Sequence, residues 1–352
     1  MKVLIDKLRQ ENNLKSNEFL FLLNNMTFED REYLISLAQD LCAQHYERRV
    51  FMRGLIELTS YCKQNCNYCG LRSSNKNAQR YRLEINEIID VCESGYKLGF
   101  RTFVLQGGED NYFDDSKIIE VVTKIKEKFP DCAVTLSIGE KSIDSYRKYF
   151  VAGADRYLLR HETASRTLYE KLHPQMSFDN RIKCLFDLKN IGYQVGAGFM
   201  VGLPGQRNED LVEDLIFLKD LEPHMVGIGP FIPHKDTPLG QEKAGTVELT
   251  LTMIALVRLM LPQALMPSTT ALGTIDPKGR EKGLLAGANV VMPNLTPEYV
   301  RSKYNLYDDK ICVNDSAIKC RACIEKKINL VGFSVDMSKG DHIGRSIEND
   351  NK

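Results

Sequence analysis

Three cysteines fall within eight residues, in the run Cys62-Lys63-Gln64-Asn65-Cys66-Asn67-Tyr68-Cys69. A CxxxCxxC loop is short enough to bring three thiolates to one place. Soft thiolates select zinc or iron–sulfur clusters over hard cations. A closed structural zinc site needs a fourth ligand, and no cysteine or histidine occurs in the twenty residues after Cys69. Three thiolates can instead hold three irons of a [4Fe–4S] cluster and leave the fourth iron open. The competing reading, three unrelated packing cysteines, is disfavoured by so compact a spacing. A second group, Cys312, Cys320 and Cys323, follows a looser Cx7CxxC pattern. It too lacks a nearby fourth ligand, so a three-cysteine iron–sulfur site suits it better than zinc, with packing or surface thiols as the alternative. Cys42 and His45, three apart on a helical pattern, are better explained by packing.

Other elements must position these residues. From residue 51 the chain alternates strand-like apolar runs with amphipathic helical patterns. The strand candidates are 55–59, 102–106, 133–137, 156–160, 194–201, 225–229, 265–269 and 289–292. Eight such units over about 250 residues predict an α/β fold of the (β/α)8 TIM-barrel type; an open doubly wound sheet is the second arrangement. Residues 1–50 read as an N-terminal helical extension, with Thr27 capping a helix that begins Phe28-Glu29-Asp30. The expected organisation is therefore the extension 1–50, a barrel 51–310 and a short C-terminal cysteine-containing segment 311–352, whose charged end from residue 337 is expected to fray.

A barrel places its chemistry at the C-terminal ends of its strands. The first such end is the cysteine loop. The second is Gln106-Gly107-Gly108-Glu109, where paired glycines permit close backbone approach and the carboxylate could accept from an ammonium group. The third carries Thr135 and Ser137. The fourth reads Arg156-Tyr157-Leu158-Leu159-Arg160-His161-Glu162. Alternation puts Arg156, Arg160 and Glu162 on one face and His161 on the other. The arginines suit bidentate carboxylate recognition, a structural ion-pair layer being the alternative; His161 is expected to bond the barrel wall. Arg181, on the next helix, reads by itself as a solvated surface residue. Small residues around Met200 and Ile228 would admit a flat group. Thr269 and Thr270 end the seventh strand and Met292 the eighth.

The composition adds exclusions. Lysine plus arginine and aspartate plus glutamate number 47 each among 352 residues, so charge gives no case for nucleic acid or an anionic membrane. No apolar run approaches the ~20 residues of a membrane helix, and the N-terminus lacks a signal-peptide core. Ten cysteines without an export signal suggest a reducing, cytoplasmic setting and metal or redox use.

Taken together, the CxxxCxxC loop with its aromatic Tyr68, the runs at 104–110, 155–163, 196–206 and 225–234, and the trailing cysteines resemble the radical S-adenosylmethionine (radical SAM) superfamily over about residues 50–335. Within it they are most similar to the biotin synthase-like branch and its [FeFe]-hydrogenase maturases. The resemblance implies a [4Fe–4S] cluster on Cys62, Cys66 and Cys69, with SAM held by Tyr68, Gly107, Gly108, Glu109, Ser137, Glu162 and Arg181 and bordered by Met200 and Ile228. It implies a substrate cavity lined by Gln106, Thr135, Arg156, Arg160, Thr269, Thr270 and Met292 and closed by Tyr304 and Tyr307. It implies an accessory [2Fe–2S] or [4Fe–4S] cluster on Cys312, Cys320 and Cys323. The implied partners are a small organometallic or amino-acid-derived substrate, a low-potential electron donor and other hydrogenase maturation proteins. A methylornithine synthase-type mutase shares the fold and most of the motifs, but the trailing cysteines argue against it. Sulfur insertion of the biotin synthase type uses cysteines inside the barrel; the third strand end offers Thr135 and Ser137, and Cys132 lies at that strand's start. A cluster carrier without chemistry of its own would not need the SAM-like strand ends.

Overall fold

The computed structural model describes residues 1–313 and 315–344. Six strands, Gly54–Thr59, Thr102–Gly107, Ala133–Ser137, Arg156–Leu158, Gln194–Ala197 and Met225–Val226, pair in that order and all in parallel. Bridges complete the circuit: Met225 to Leu265, Pro267 to Val290, and Asn294 back to Leu55. The result is a closed eightfold barrel, not an open sheet. The seventh expected strand, 265–269, survives only as these single bridges, because Pro267 has no N–H to give a ladder.

Two expected strands are broken near the mouth. The run 194–201 divides into Gln194–Ala197 and Met200–Val201, and 225–229 into Met225–Val226 and Gly229–Pro230. The upper pieces pair with each other, Met200 opposite Gly229. The break falls at Gly198, φ 150°, where an added Cβ would sit 2.0 Å from the Gly227 carbonyl oxygen. Only glycine fits that crossing.

Amphipathic helices surround the barrel, and three more precede it: Lys2–Glu11, Ser16–Asn25 and Phe28–Tyr46. Thr27 caps the last, its hydroxyl accepting from the Asp30 N–H at 3.2 Å while the Asp30 carboxylate takes the Thr27 N–H. Phe28–Tyr46 lies on Val247–Met260, which explains why that helix is buried almost all round.

At the end of the stretch read as helical, Arg49 and Val50 instead open a strand, Arg49–Met52. It pairs in parallel with Val290–Val291 on one side and Ser334–Asp336 on the other. Beyond it the chain crosses the barrel floor. The Lys339 carbonyl accepts from Thr102 and Arg156, both at 2.8 Å, and the Gly340 carbonyl from Arg53 at 3.0 Å. The Asp341 carboxylate takes Arg156 and Gln194, both at 2.6 Å. The end expected to fray is thus anchored as far as described; residues 345–352 lie outside the described residues. Among the described residues no helix is long and apolar enough to cross a membrane.

Candidate active site at the barrel mouth

The cysteine loop is fixed on three sides. The Arg80 guanidinium donates to the carbonyls of Ser60, Leu71 (2.9 Å), Arg72 (2.8 Å) and Asn75 (3.3 Å), stapling the chain on both sides of the cysteines. Asn67 N–H donates to the Leu172 carbonyl at 2.8 Å, and its side chain to the Lys171 carbonyl at 2.7 Å. The buried His173 ring gives its Nδ1 proton to the Tyr169 carbonyl at 3.0 Å, which leaves Nε2 to accept from the Tyr68 hydroxyl at 3.0 Å. Gly108 packs under the loop: a Cβ there would lie 2.2 Å from the Tyr61 carbonyl oxygen and 2.7 Å from Cys62 Cβ. Gly108, the second of the glycine pair, therefore admits the cysteine loop itself. Glu109 continues the contact. Its N–H points at Cys62 Sγ (3.4 Å), and its carboxylate accepts from Gln64 (2.7 Å) and the Glu140 N–H (3.0 Å).

Burial, followed by the neighbouring thiols, pushes the Cys66 thiol well up and carries Cys69 to about 12; burial also raises Cys62. Thiolates withdrawn from water in this way need compensating positive charge, which an iron–sulfur core would supply. Among the described residues no three His, Cys, Asp or Glu side chains converge on a single ion. The donor set of the loop, three cysteines, matches a [4Fe–4S] cluster with one iron left open and falls one ligand short of a closed zinc site.

A cavity of about 340 Å³ lies beneath this loop, at the C-terminal ends of the strands. Tyr68, Cys69, Gly107 and Ser137 line it from the cysteine side. Arg160, Glu162 and Met200 line it from the fourth and fifth strand ends. Arg181 also reaches it and is 7% exposed, contrary to the solvated residue read from sequence. Its guanidinium donates to the Arg160 carbonyl and, at 2.6 Å, to the Glu140 carboxylate. Arg160 bonds the Phe199 carbonyl at 2.6 Å. Its Nε and the Glu162 Oε2 atom are buried with no hydrogen-bond partner, so the polar wall has capacity for a ligand.

Gln106, Thr269, Tyr304 and Tyr307 form the opposite wall. Gln106 Nε2 donates to the Tyr304 hydroxyl at 3.2 Å. The stretch 304–310 is held by a buried ion pair, Lys310 to Glu57 at 2.6 Å, with Lys310 also bonding the Tyr304 carbonyl at 2.9 Å. It meets the cysteine loop where Gly70 N–H donates to the Leu306 carbonyl.

Four residues expected at the substrate wall lie elsewhere. Thr135 and Arg156 line a small inner cavity nearer the floor, which shares Leu158 with the larger one. Arg156 shares a face with Arg160, but four residues at about 3.3 Å each set their backbones up to about 13 Å apart along the chain. Thr270 turns to Arg280, which donates to its hydroxyl at 3.0 Å. Met292 packs in the lower cluster around Phe51, Met225 and Leu265. Ile228 is a core residue outside the cavity lining. His161 bonds the wall, as expected from alternation. Arg80, Asn67, His173, Glu57 and Lys310 were not singled out from sequence, since each acts through distant backbone or a partner far along the chain.

In the second cysteine group, Cys312 and Cys320 lie together; the hydrogen bond from the Cys320 thiol, aided by nearby Arg280, lowers Cys312 to about 6. Cys323 is exposed one turn further along the helix Ala317–Leu330. Cys42 is a buried packing residue.

Comparison with known proteins agrees with this geometry. The Radical SAM superfamily model matches residues 56–218. The [FeFe] hydrogenase maturase subunit HydE of Thermotoga maritima is 50% identical over 301 residues, 86% of each chain. The 3-methylornithine synthase of Methanosarcina barkeri is 30% identical over 93% of this chain and 92% of that one. A crystal structure of methylornithine synthase (PylB) superposes with a TM-score of 0.83 at 28% identity, covering 95% of this chain and 97% of that one. Enzymes of the superfamily use a [4Fe–4S] cluster and SAM, which the open three-cysteine loop and the cavity beneath it suit. With half of the aligned residues identical across most of both chains, this protein belongs to the radical SAM superfamily and, within it, to the HydE-type maturases.

Proposed function

We propose that the chain acts in assembly of the diiron centre of [FeFe]-hydrogenase, on a small iron–cysteine complex carrying CO and CN. The observation that carries this reading is the 50% identity to a maturase named for that role, over 86% of both chains. In this reading Cys62, Cys66 and Cys69 hold the cluster, and the chemistry it supplies when bound is reductive cleavage of SAM to a 5′-deoxyadenosyl radical. Glu109 and Gly108 set the wall of the SAM site, Ser137 and Glu162 hold SAM within it, and Arg181 faces its carboxylate. Tyr68 and Met200 flank the adenosyl group. Arg160 and Thr269 hold an anionic substrate, with Gln106, Tyr304 and Tyr307 closing the far wall. The loop 304–310 and the cysteine loop exclude water, so that radical and substrate meet before quenching. The catalytic unit is the barrel 51–310, carrying the extension 1–50 and the segment 311–352. Cys312, Cys320 and Cys323 hold an accessory cluster, and a low-potential protein delivers the electron. The test is a cell-free maturation assay with apo-[FeFe]-hydrogenase, the other maturation factors, SAM and reductant. Hydrogen production should require this chain and fail with Cys62→Ala. SAM cleavage without any support of hydrogenase would overturn the substrate and keep the cofactor chemistry.

A further inference from the structure

Glu162 lines the cavity with its backbone in the left-handed region, φ 67°. A residue with a Cβ keeps that conformation only where its surroundings over-determine it. From the cavity side its carboxylate has one long ion pair, Arg160 Nη2 to Glu162 Oε2 at 3.5 Å, and Oε2 has no hydrogen-bond partner. The constraint comes from behind. Glu162 N–H donates to the Gly198 carbonyl at 3.0 Å, and the Glu162 carbonyl accepts from Met200 N–H at 2.9 Å. His161, fully buried, turns away from the cavity, and its Nδ1 accepts the Gly198 N–H at 3.3 Å. Its proton is therefore on Nε2, which donates to Asp214 Oδ1 at 3.2 Å. The same oxygen accepts the Ala164 N–H at 2.5 Å. Asp214 is also fully buried, on the helix Asn208–Leu221. Phe217 and Phe199 flank the imidazole, with ring centroids at 4.7 and 5.9 Å. One carboxylate thus fastens the residues on both sides of Glu162, and the histidine ties them to the glycine whose carbonyl receives the Glu162 N–H.

We infer that the buried His161–Asp214 pair is a positioning device that holds Glu162 aimed into the cavity for SAM. Neither residue lines the cavity, so both act through Glu162. The inference rests on the reading that Glu162 contacts SAM. Its test is a double-mutant cycle on SAM affinity, measured by calorimetry on cluster-loaded chain, with iron content and thermal midpoint read in parallel. D214L removes the shared acceptor. H161F keeps an aromatic ring and removes both imidazole bonds, and it carries the cycle if D214L fails to fold. D214N retains an acceptor oxygen. D214L and H161F should weaken SAM binding about tenfold at unchanged iron content, while D214N stays within about threefold. In an E162A background neither substitution should cost more than about twofold further. If E162A binds SAM like the parent, the assignment of Glu162 falls and takes the inference with it. If E162A binds weakly but H161F and D214L bind like the parent, or lose as much in E162A as in the parent, the inference falls and the assignment of Glu162 stands.

Discussion

The ion pair between Glu57 and Lys310 offers a quantitative test of how the cavity wall is held. Glu57 side chain is 1% exposed and Lys310 9%, at 2.6 Å. Asn294 Nδ2 donates to the other Glu57 carboxylate oxygen at 3.0 Å, and Lys310 also donates to the Tyr304 carbonyl. Lys310→Met leaves a buried carboxylate with one neutral donor, a situation that costs about 3–5 kcal/mol. Glu57→Gln leaves the ammonium two carbonyl acceptors and should cost about 1–3 kcal/mol. The double variant removes both charges, and its cost should be only about 1–2 kcal/mol, since a buried pair barely outweighs its own desolvation. The coupling in the cycle, the two single costs less the double, is then about 2–7 kcal/mol. Urea unfolding of the apo chain measures it, with the slope held equal across variants. Additive penalties, or a Lys310→Met cost below about 1 kcal/mol, would refute the account, because they would mean that water already screens the pair. The double variant should regain stability yet leave Tyr304 less fixed, so SAM cleavage should survive with poorer coupling to substrate.

Gly108→Ala forces a methyl group against the Tyr61 carbonyl and Cys62 Cβ; iron incorporation by the CxxxCxxC site should fall several-fold while far-UV circular dichroism stays unchanged. Replacing Cys312, Cys320 and Cys323 together by alanine should lower iron per chain by the share of one cluster and leave 5′-deoxyadenosine formation intact, since none of the three lines the cavity. Burial works against the charge of Asp341, but Arg156 and Gln194 outweigh it and hold its pKa below the usual value. Its contribution is therefore present above about pH 4 and lost as pH falls through the lowered pKa. Part of that carboxylate faces solvent, so Asp341→Asn should cost only about 1 kcal/mol at pH 7 and flatten the acid limb of the stability profile.

Much of this architecture was legible because it rests on local pattern. The strand–helix alternation announces a barrel, the cysteine spacing announces its own loop, and alternation along 156–162 separates His161 from Arg160 and Glu162. What could not be read are consequences of depth and distance. Arg156 and Arg160 share a face, yet one meets the floor and the other the mouth. Arg181 carries no local mark of burial; only the packing of its helix across the barrel rim turns it inward. Lys310 and Glu57 are 253 residues apart, and a single sequence holds no signal that pairs them. The strand Arg49–Met52 escaped notice because it finds its partners at 290–291 and 334–336, and the floor segment because charged residues near a chain end resemble solvated tail until two buried guanidinium groups are placed above them.

That floor segment gives the order of synthesis a structural meaning. Arg53 and Arg156 emerge from the ribosome well before residues 339–341, whose carbonyls and carboxylate receive them. At about 5–20 residues per second, the interval between residues 156 and 339 is roughly 10–40 s. Throughout it the cysteine loop is already made while the barrel beneath it has an open base with charged groups unsheltered. A product cut short before residue 339 never gains the floor, however complete its mouth. The late-made segment 339–341 therefore decides whether the vessel that must keep a radical from water is sealed at its other end.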